Sequence, residues 1–384
     1  MTPFVFNTTA SIQFGDHLAS RLGELARPYG SHTILITDAG LVRAGLIEPI
    51  LQNLQAQGMH CVVFDEVQAD PAEAIVLRAA EVARQCAAQS VIGVGGGSSL
   101  DVAKLVAALV KGPQELAQMY GVNQITGTRL PLVLVPTTAG TGSEVTPISI
   151  VTTGEHEKKG VVSPVLLPDI ALLDPMLTLG LPAHVTAATG VDAMVHAIEA
   201  HASASKNNNP ISRGLASLAL QLLGANLRVA VKDGANVTAR ANMLLGSLLA
   251  GQAFANSPVA AVHALAYPLG GHFGIPHGLS NALMLPHVLA FNAANNPALY
   301  AEIAPCVFPE LASVPSAQRS EAFIEALRTL CLDIGLPLSL REVDIPRDAC
   351  ALMASEAMKQ TRLLVNNPRA LTEQDALKLY EAAW

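Results

Sequence analysis

The chain has 384 residues, 51% of them hydrophobic and 14% charged, with a net charge of −8 and a mean hydropathy of +0.38. That length accommodates two ordinary domains with sizeable cores. The acidic balance and the lack of a Lys/Arg cluster argue against a nucleic-acid partner, and no unbroken apolar run approaches the ~20 residues of a bilayer span.

The first stretch, Met1 to Ser20, carries no Lys or Arg and mixes apolar with polar residues, which is not a secretory-signal pattern. The five cysteines, Cys61, Cys86, Cys306, Cys331 and Cys350, form no CxxC pair. The expectation is free thiols in a reducing cytoplasm.

Strands then alternate with helices. His32–Thr37 is a β-rich run, Gly45–Gln57 reads as helix, Cys61–Phe64 as strand, and Ala-rich Pro71–Gln89 as amphipathic helix. Ser90–Val94 and Leu130–Val135 complete four predicted strands. This alternation predicts a doubly wound, Rossmann-like parallel sheet over residues 1–180. Asp174-Pro175 and Leu181-Pro182 punctuate the chain. Beyond them the pattern is long helices, Gly190–Ala202, Pro210–Leu223, Thr238–Ala255 and Ala317–Ile334, predicting an all-helical domain over 181–384.

Val91 to Asp101, VIGVGGGSSLD, reads as strand, glycine turn and helix start. Such a turn lets backbone amides approach a phosphate, with Ser98 or Ser99 capping the helix or donating to the anion. The spacing is neither GxGxxG nor a P-loop, so a plain tight turn is the alternative. Asp38 follows the first strand, where an acid can accept from a ribose 2′-hydroxyl and repel a 2′-phosphate, favouring NAD over NADP. A second strand exit, Val135 to Glu144, is dense in hydroxyls and glycines.

Asp192 and His196 are four residues apart in a good helix former, hence on one face. His263, His272 and His277 follow in a segment broken by glycines and Pro276. Each group alone has a bland reading, surface capping for the pair and a core position for His263. Three imidazoles and one carboxylate would together suit Fe²⁺, Zn²⁺ or Co²⁺ rather than Mg²⁺ or Ca²⁺.

Several segments in order give a specific likeness over the whole chain: Gly95-Gly96-Gly97-Ser98, Pro136 to Glu144, Thr189 to Ala193, His196 to Glu199, Pro276-His277-Gly278, and the tail from Asn367 to Trp384. In these the chain resembles the iron-containing, or group III, alcohol dehydrogenases. The resemblance implies the dehydroquinate synthase-like fold of this family, with a divalent metal, iron foremost and zinc as alternative, on Asp192, His196, His263 and His277. It implies that Asp38, Gly96, Gly97, Ser98, Asp101, Thr137, Thr138, Ser143 and Lys159 surround NAD, that Phe254 lines the substrate pocket, and that the protein forms homodimers or larger assemblies.

Three departures stand against the family pattern. Tyr267 replaces a histidine involved in proton handling, and an unperturbed tyrosine pKa near about 10 makes it a poor switch at neutral pH. Tyr267 and His272 are therefore the candidate proton relays. Asp70 replaces an asparagine and adds a negative charge near the cofactor. Ile148 stands in a stretch where diol-type relatives carry a substrate-binding asparagine, which favours a small or medium primary alcohol or aldehyde over a polyol. The rival readings are an NAD-using lyase or cyclase resembling dehydroquinate synthase, which needs more basic residues than stand near these motifs, a metal-free reductase of the maleylacetate type, and a non-catalytic NAD-binding protein. Turnover of simple alcohols with NADH release separates them.

Overall fold

The computed structural model describes residues 3–154 and 157–384. Met1 and Thr2, part of the N-terminal stretch read above, lie outside them. The chain divides into two compact units. One comprises Asn7–Thr138 and Gly142–Leu179, the other Met1–Phe6, Ala139–Thr141 and Gly180–Trp384.

Among the described residues the first unit carries nine strands: β1 (Ser11–Phe14), β2 (His32–Ile36), β3 (His60–Phe64), β4 (Ser90–Gly95), β5 (Gly121–Val122), β6 (Leu132–Pro136), β7 (Ile148–Thr153), β8 (Glu157–Val162) and β9 (Ile170–Leu173). Its helices are α1 (Leu22–Ala26), α2 (Ala39–Arg43), α3 (Glu48–Ala56), α4 (Glu73–Gln85) and α5 (Gly97–Lys111). Six strands form a parallel sheet in the order β1-β9-β6-β4-β2-β3. The strands read as near-continuous apolar runs because both faces are covered. Ile34, Ile36, Val91, Leu132 and Leu134 pack with α4 and α5 on one face. Their neighbours Leu35, Ile92, Val133 and Val135 pack with α1 and α3 on the other.

Five strands extend the sequence reading. β1 and β9 have four residues each, and β5 has two, too short for a periodic signal. β7 and β8 pair antiparallel in a separate three-stranded sheet. On β7 the buried residues are Ser149, Val151 and Thr153, while Ile148 and Ile150 are half-buried. The buried face is therefore mostly polar, with Val151 alone between Ser149 and Thr153, and the run carries no apolar alternation.

The second unit is helical: α6 (Ala183–Ala202), α7 (Pro210–Lys232), α8 (Val237–Asn256), α9 (Ala261–Phe273), α10 (His277–Asn295), α11 (Ala304–Val307), α12 (Ser316–Asp333), α13 (Ala349–Met358), α14 (Thr361–Leu364) and α15 (Glu373–Ala383). α7 runs nine residues past its predicted end. By length and composition it could cross a bilayer, but it packs on α6 and α8 and carries Arg213, Gln221 and Arg228. The C-terminal segment locks onto the helices that carry the late histidines. Tyr380 donates to the Leu265 carbonyl on α9 at 2.6 Å, and Asn367 donates to Asn292 on α10 at 2.8 Å.

Candidate metal centre and nucleotide cradle

In the parallel sheet, β2 and β4 are neighbours whose onward connections leave in opposite directions, to β3 on one side and β6 on the other. The crevice at the carboxyl ends of two such strands is where open α/β sheets bind ligands. Asp38 sits at the exit of β2 and Gly95-Gly96-Gly97 at the exit of β4. Gly95 has φ +152°, and a Cβ there would meet Ser99 at 2.7 Å, so the turn tolerates no side chain. Helix α5 begins at Gly97 with Gly96 as its cap residue and no side-chain cap. Ser98 and Ser99 thus lie inside the first turn, which corrects the expectation that either caps the helix. The first amides of this 15-residue helix have no intrahelical acceptor and are available to an anion.

Thr137 and Thr138 join this turn. The Thr137 amide donates to the Gly95 carbonyl at 2.9 Å, and Thr138 lies beside Gly96. Asp38 caps α2 through Leu41, 3.0 Å from its Oδ1. Lys159 stands on β8, paired with Glu157 at 3.3 Å and 5.8 Å above the Tyr120 ring. Asp70 has a left-handed φ of +53°, which asparagine and aspartate tolerate best. Its carboxylate pairs with Lys158, which counters the charge locally.

Asp101 and Ser143 belong to a buried network that sequence reasoning missed. Lys104, fully buried, donates from Nζ to Ser143 Oγ at 2.7 Å, Thr146 Oγ1 at 3.2 Å and the Ile148 carbonyl at 2.7 Å. It stands 3.4 Å from Asp101 Oδ1, which accepts from Ser143 Oγ at 2.6 Å, while Oδ2 accepts from the Ile150 amide at 2.8 Å. Burial pulls the Lys104 ammonium down, opposed by Asp101 and Glu144. Burial also pushes the Glu144 carboxyl up to about 7, its own amide and Lys104 opposing. The network fastens α5 to the segment from Ser143 to Ile150.

In the helical unit, Asp192, His196 and Glu199 share one face of α6 at positions i, i+4 and i+7. α9 brings His263 in its first turn, and α10 starts at His277. Gly278 permits the approach of α10 to α6: a Cβ there would lie 2.4 Å from the Ala188 carbonyl oxygen. The result is a cluster in which ligand atoms of Asp192, His196, His263 and His277 all lie within 4.8 Å of one another. Asp192, His196 and His263 are buried. His277 is 38% exposed and is the cluster's accessible side.

The imidazoles are oriented from behind. Glu199 Oε2 lies 2.7 Å from His263 Nδ1, and Glu199 Oε1 accepts from the Val262 amide at 2.7 Å, capping α9 with the same carboxylate. The Gly140 carbonyl lies 3.2 Å from His196 Nδ1. Each contact makes Nδ1 the protonated nitrogen and leaves Nε2 as a lone pair, the arrangement that metal-binding histidines use. Burial lowers His196 to about 3, against the pull of Asp192. Burial would raise the Asp192 carboxyl, but the three imidazoles and the Asn281 amide outweigh it and hold it below its usual range. A neutral imidazole and an ionised carboxylate are the forms that bind metal. Three nitrogens and one oxygen converging on one point fit a borderline divalent ion.

Phe254 stacks on the His196 ring at 4.3 Å and 17°. Tyr267 lies 6.0 Å from the His277 ring. His272, at the end of α9, faces Glu356 on α13 at 4.0 Å. Ile148 opens β7 and lends its carbonyl to Lys104. Glu199 and Asn281 had a legible signal: they follow His196 and His277 by three and four residues, on the same helix faces.

Comparison with known proteins agrees across the whole chain. Residues 9–175 match the family described as iron-containing alcohol dehydrogenase, and residues 186–384 match the C-terminal domain of the Fe-containing alcohol dehydrogenase family. Long-chain-alcohol dehydrogenase 1 of Geobacillus thermodenitrificans is 41% identical, over 94% of this chain and 91% of that one. A solved 1,3-propanediol oxidoreductase superposes with a TM-score of 0.95 at 35% identity, covering 100% of both chains. The sulfoacetaldehyde reductase of Bifidobacterium kashiwanohense, solved in complex with NAD⁺, superposes at 0.88 with 28% identity, over 100% of this chain and 99% of that one. The nucleotide turn, the convergent imidazoles and these likenesses lead to one conclusion: the chain belongs to the iron-containing alcohol dehydrogenase family.

Proposed function

We propose that the protein is a cytoplasmic, homo-oligomeric, NAD-dependent alcohol dehydrogenase or aldehyde reductase acting on small or medium primary alcohols and aldehydes. The observation that carries this reading is the convergence of Asp192, His196, His263 and His277 within 4.8 Å. These four would hold one divalent ion, iron foremost and zinc as the alternative. Bound there, the ion supplies Lewis-acid stabilisation of negative charge developing on a substrate oxygen, and NAD supplies the hydride chemistry.

The chain's own groups divide the remaining work. Glu199 and the Gly140 carbonyl keep His263 and His196 in the tautomers that present Nε2. Phe254 forms an apolar wall against His196, which suits an alkyl chain better than a polyol, and Ile148 adds to that preference. The glycine turn, Ser98, Thr137 and Thr138 bind the cofactor's phosphates, with Asp38 selecting NAD through its ribose and Lys159 completing the cofactor set. Asp101 and Ser143 support this cradle through Lys104. Tyr267, beside His277, is the nearer candidate for moving a proton, and His272 is the second. The five cysteines are free thiols, as a reducing compartment would keep them.

The test is a panel of primary alcohols, diols and aldehydes with NAD(H), run after chelation and again with Fe²⁺ or Zn²⁺. Turnover that vanishes on chelation and returns with Fe²⁺ is expected. Activity that survives complete metal removal overturns the metal role.

A further inference from the structure

Asn281 is fully buried one turn beyond His277 on α10. Its amide nitrogen donates to Asp192 Oδ1 at 2.6 Å and lies 3.3 Å from Nε2 of both His263 and His277. One side chain therefore reaches three of the four candidate ligand atoms. Its own oxygen, Oδ1, is buried without a hydrogen-bond partner. Buried amides ordinarily have both ends bonded, so the balance of its own hydrogen bonds does not account for this residue. What it accomplishes lies on the nitrogen side. A short N–H bond fixes which Asp192 oxygen faces the imidazoles and where that oxygen stands.

We propose that Asn281 is a positioning residue of the metal centre, holding Asp192 in the orientation that closes the ligand set and thereby setting metal affinity. Glu199 does this for His263 and the Gly140 carbonyl for His196, so Asn281 makes three of the four ligands individually oriented. An amide also suits the role electrically. It donates to the carboxylate without adding charge, so a divalent ion with the single Asp192 carboxylate keeps a net positive charge and its Lewis acidity. A carboxylate at position 281 would cancel that charge.

The experiment compares full-length wild type with Asn281→Leu, which keeps the branched outline of the side chain without donor or orphan oxygen. Co²⁺ and Zn²⁺ are titrated into chelator-treated protein against a chromophoric chelator, the Co²⁺ visible spectrum is recorded, and the melting temperature is measured without metal. The expected result is metal affinity at least about 10-fold weaker, a changed Co²⁺ spectrum and an unchanged or raised metal-free melting temperature. Equal affinity overturns the proposal, and so does an affinity loss that accompanies an equal loss of fold. If the Leu variant does not fold, Asn281→Ser, which keeps a donor, should bind metal more tightly than Asn281→Ala, and equal binding overturns the assignment. The inference rests on the metal reading of the cluster, yet the two fail distinguishably. Wild type that takes up no ion overturns both, whereas wild type that loads normally alongside an equally competent Leu variant overturns the role of Asn281 alone.

Discussion

Lys104 in the α/β unit and Asp192 in the helical unit are both buried charges, and their surroundings differ in one respect. Around Lys104 the bonds close. The ammonium finds two hydroxyls, a carbonyl and a carboxylate, and that carboxylate also receives a hydroxyl and an amide. Around Asp192 acceptors converge. Two imidazoles have Nδ1 turned to fixed acceptors behind them, so their lone pairs face the same point as the carboxylate. A closed cluster is a strut, whereas a cluster of convergent lone pairs calls for a cation. Burial alone does not distinguish them, and the direction of the hydrogen bonds does.

The comparison can be broken by substitutions on either side. The largest effect belongs to His263→Ala, which removes a proposed ligand. Losing several kcal/mol of charge stabilisation lowers kcat/KM by about 10³-fold or more, with bound metal lost and the sheet unit unaffected. Lys104→Met removes the cation beside half-buried Asp101 and the donor to the Ile148 carbonyl, which costs about 1–3 kcal/mol of stability. A lowered melting temperature and weaker NAD binding with metal content intact are expected, and a parallel loss of metal would erase the distinction between strut and site. Glu199→Gln keeps an acceptor for the α9 cap but weakens the hold on His263. Metal affinity should fall by about 10- to 100-fold, measured by chelator competition.

The smallest effect is a pH dependence within the strut. Glu144 titrates near 7 in the folded chain against an ordinary 4.5. Between those values the folded chain keeps a proton that the unfolded chain has released, so stability falls as pH rises through the window. Glu144→Gln escapes this penalty. Its stability relative to wild type, followed by denaturant unfolding, should climb between about pH 4.5 and 7 and level off above, by at most about 1.4 kcal/mol per pH unit. A constant difference across that range contradicts the assignment.

Much of this was legible in the residues. β2, β3, β4 and β6 declared themselves because strands buried on both faces are continuously apolar. The glycine turn and the same-face spacing of Asp192 and His196 were equally plain. The hidden parts share a cause: they depend on partners distant in the chain. β7 buries Ser149 and Thr153, and Ser149 gains a partner in the Asp101 carbonyl on α5. Asp70 reads as an added charge until Lys158 is seen beside it. Glu199 lies in the His196–Glu199 motif, but its double engagement of Val262 and His263 arises only when α9 packs on α6. Gly140, a loop residue, acts through its backbone carbonyl, which no side-chain pattern could reveal.

Metal content tests the central claim most directly. Wild type, Lys104→Met and His263→Ala, purified with Fe²⁺ supplied and analysed by plasma mass spectrometry, should give one ion per chain for the first two and almost none for the third. Wild type that binds no ion, or His263→Ala that binds as wild type does, would contradict the reading of the Asp192 cluster as a metal centre.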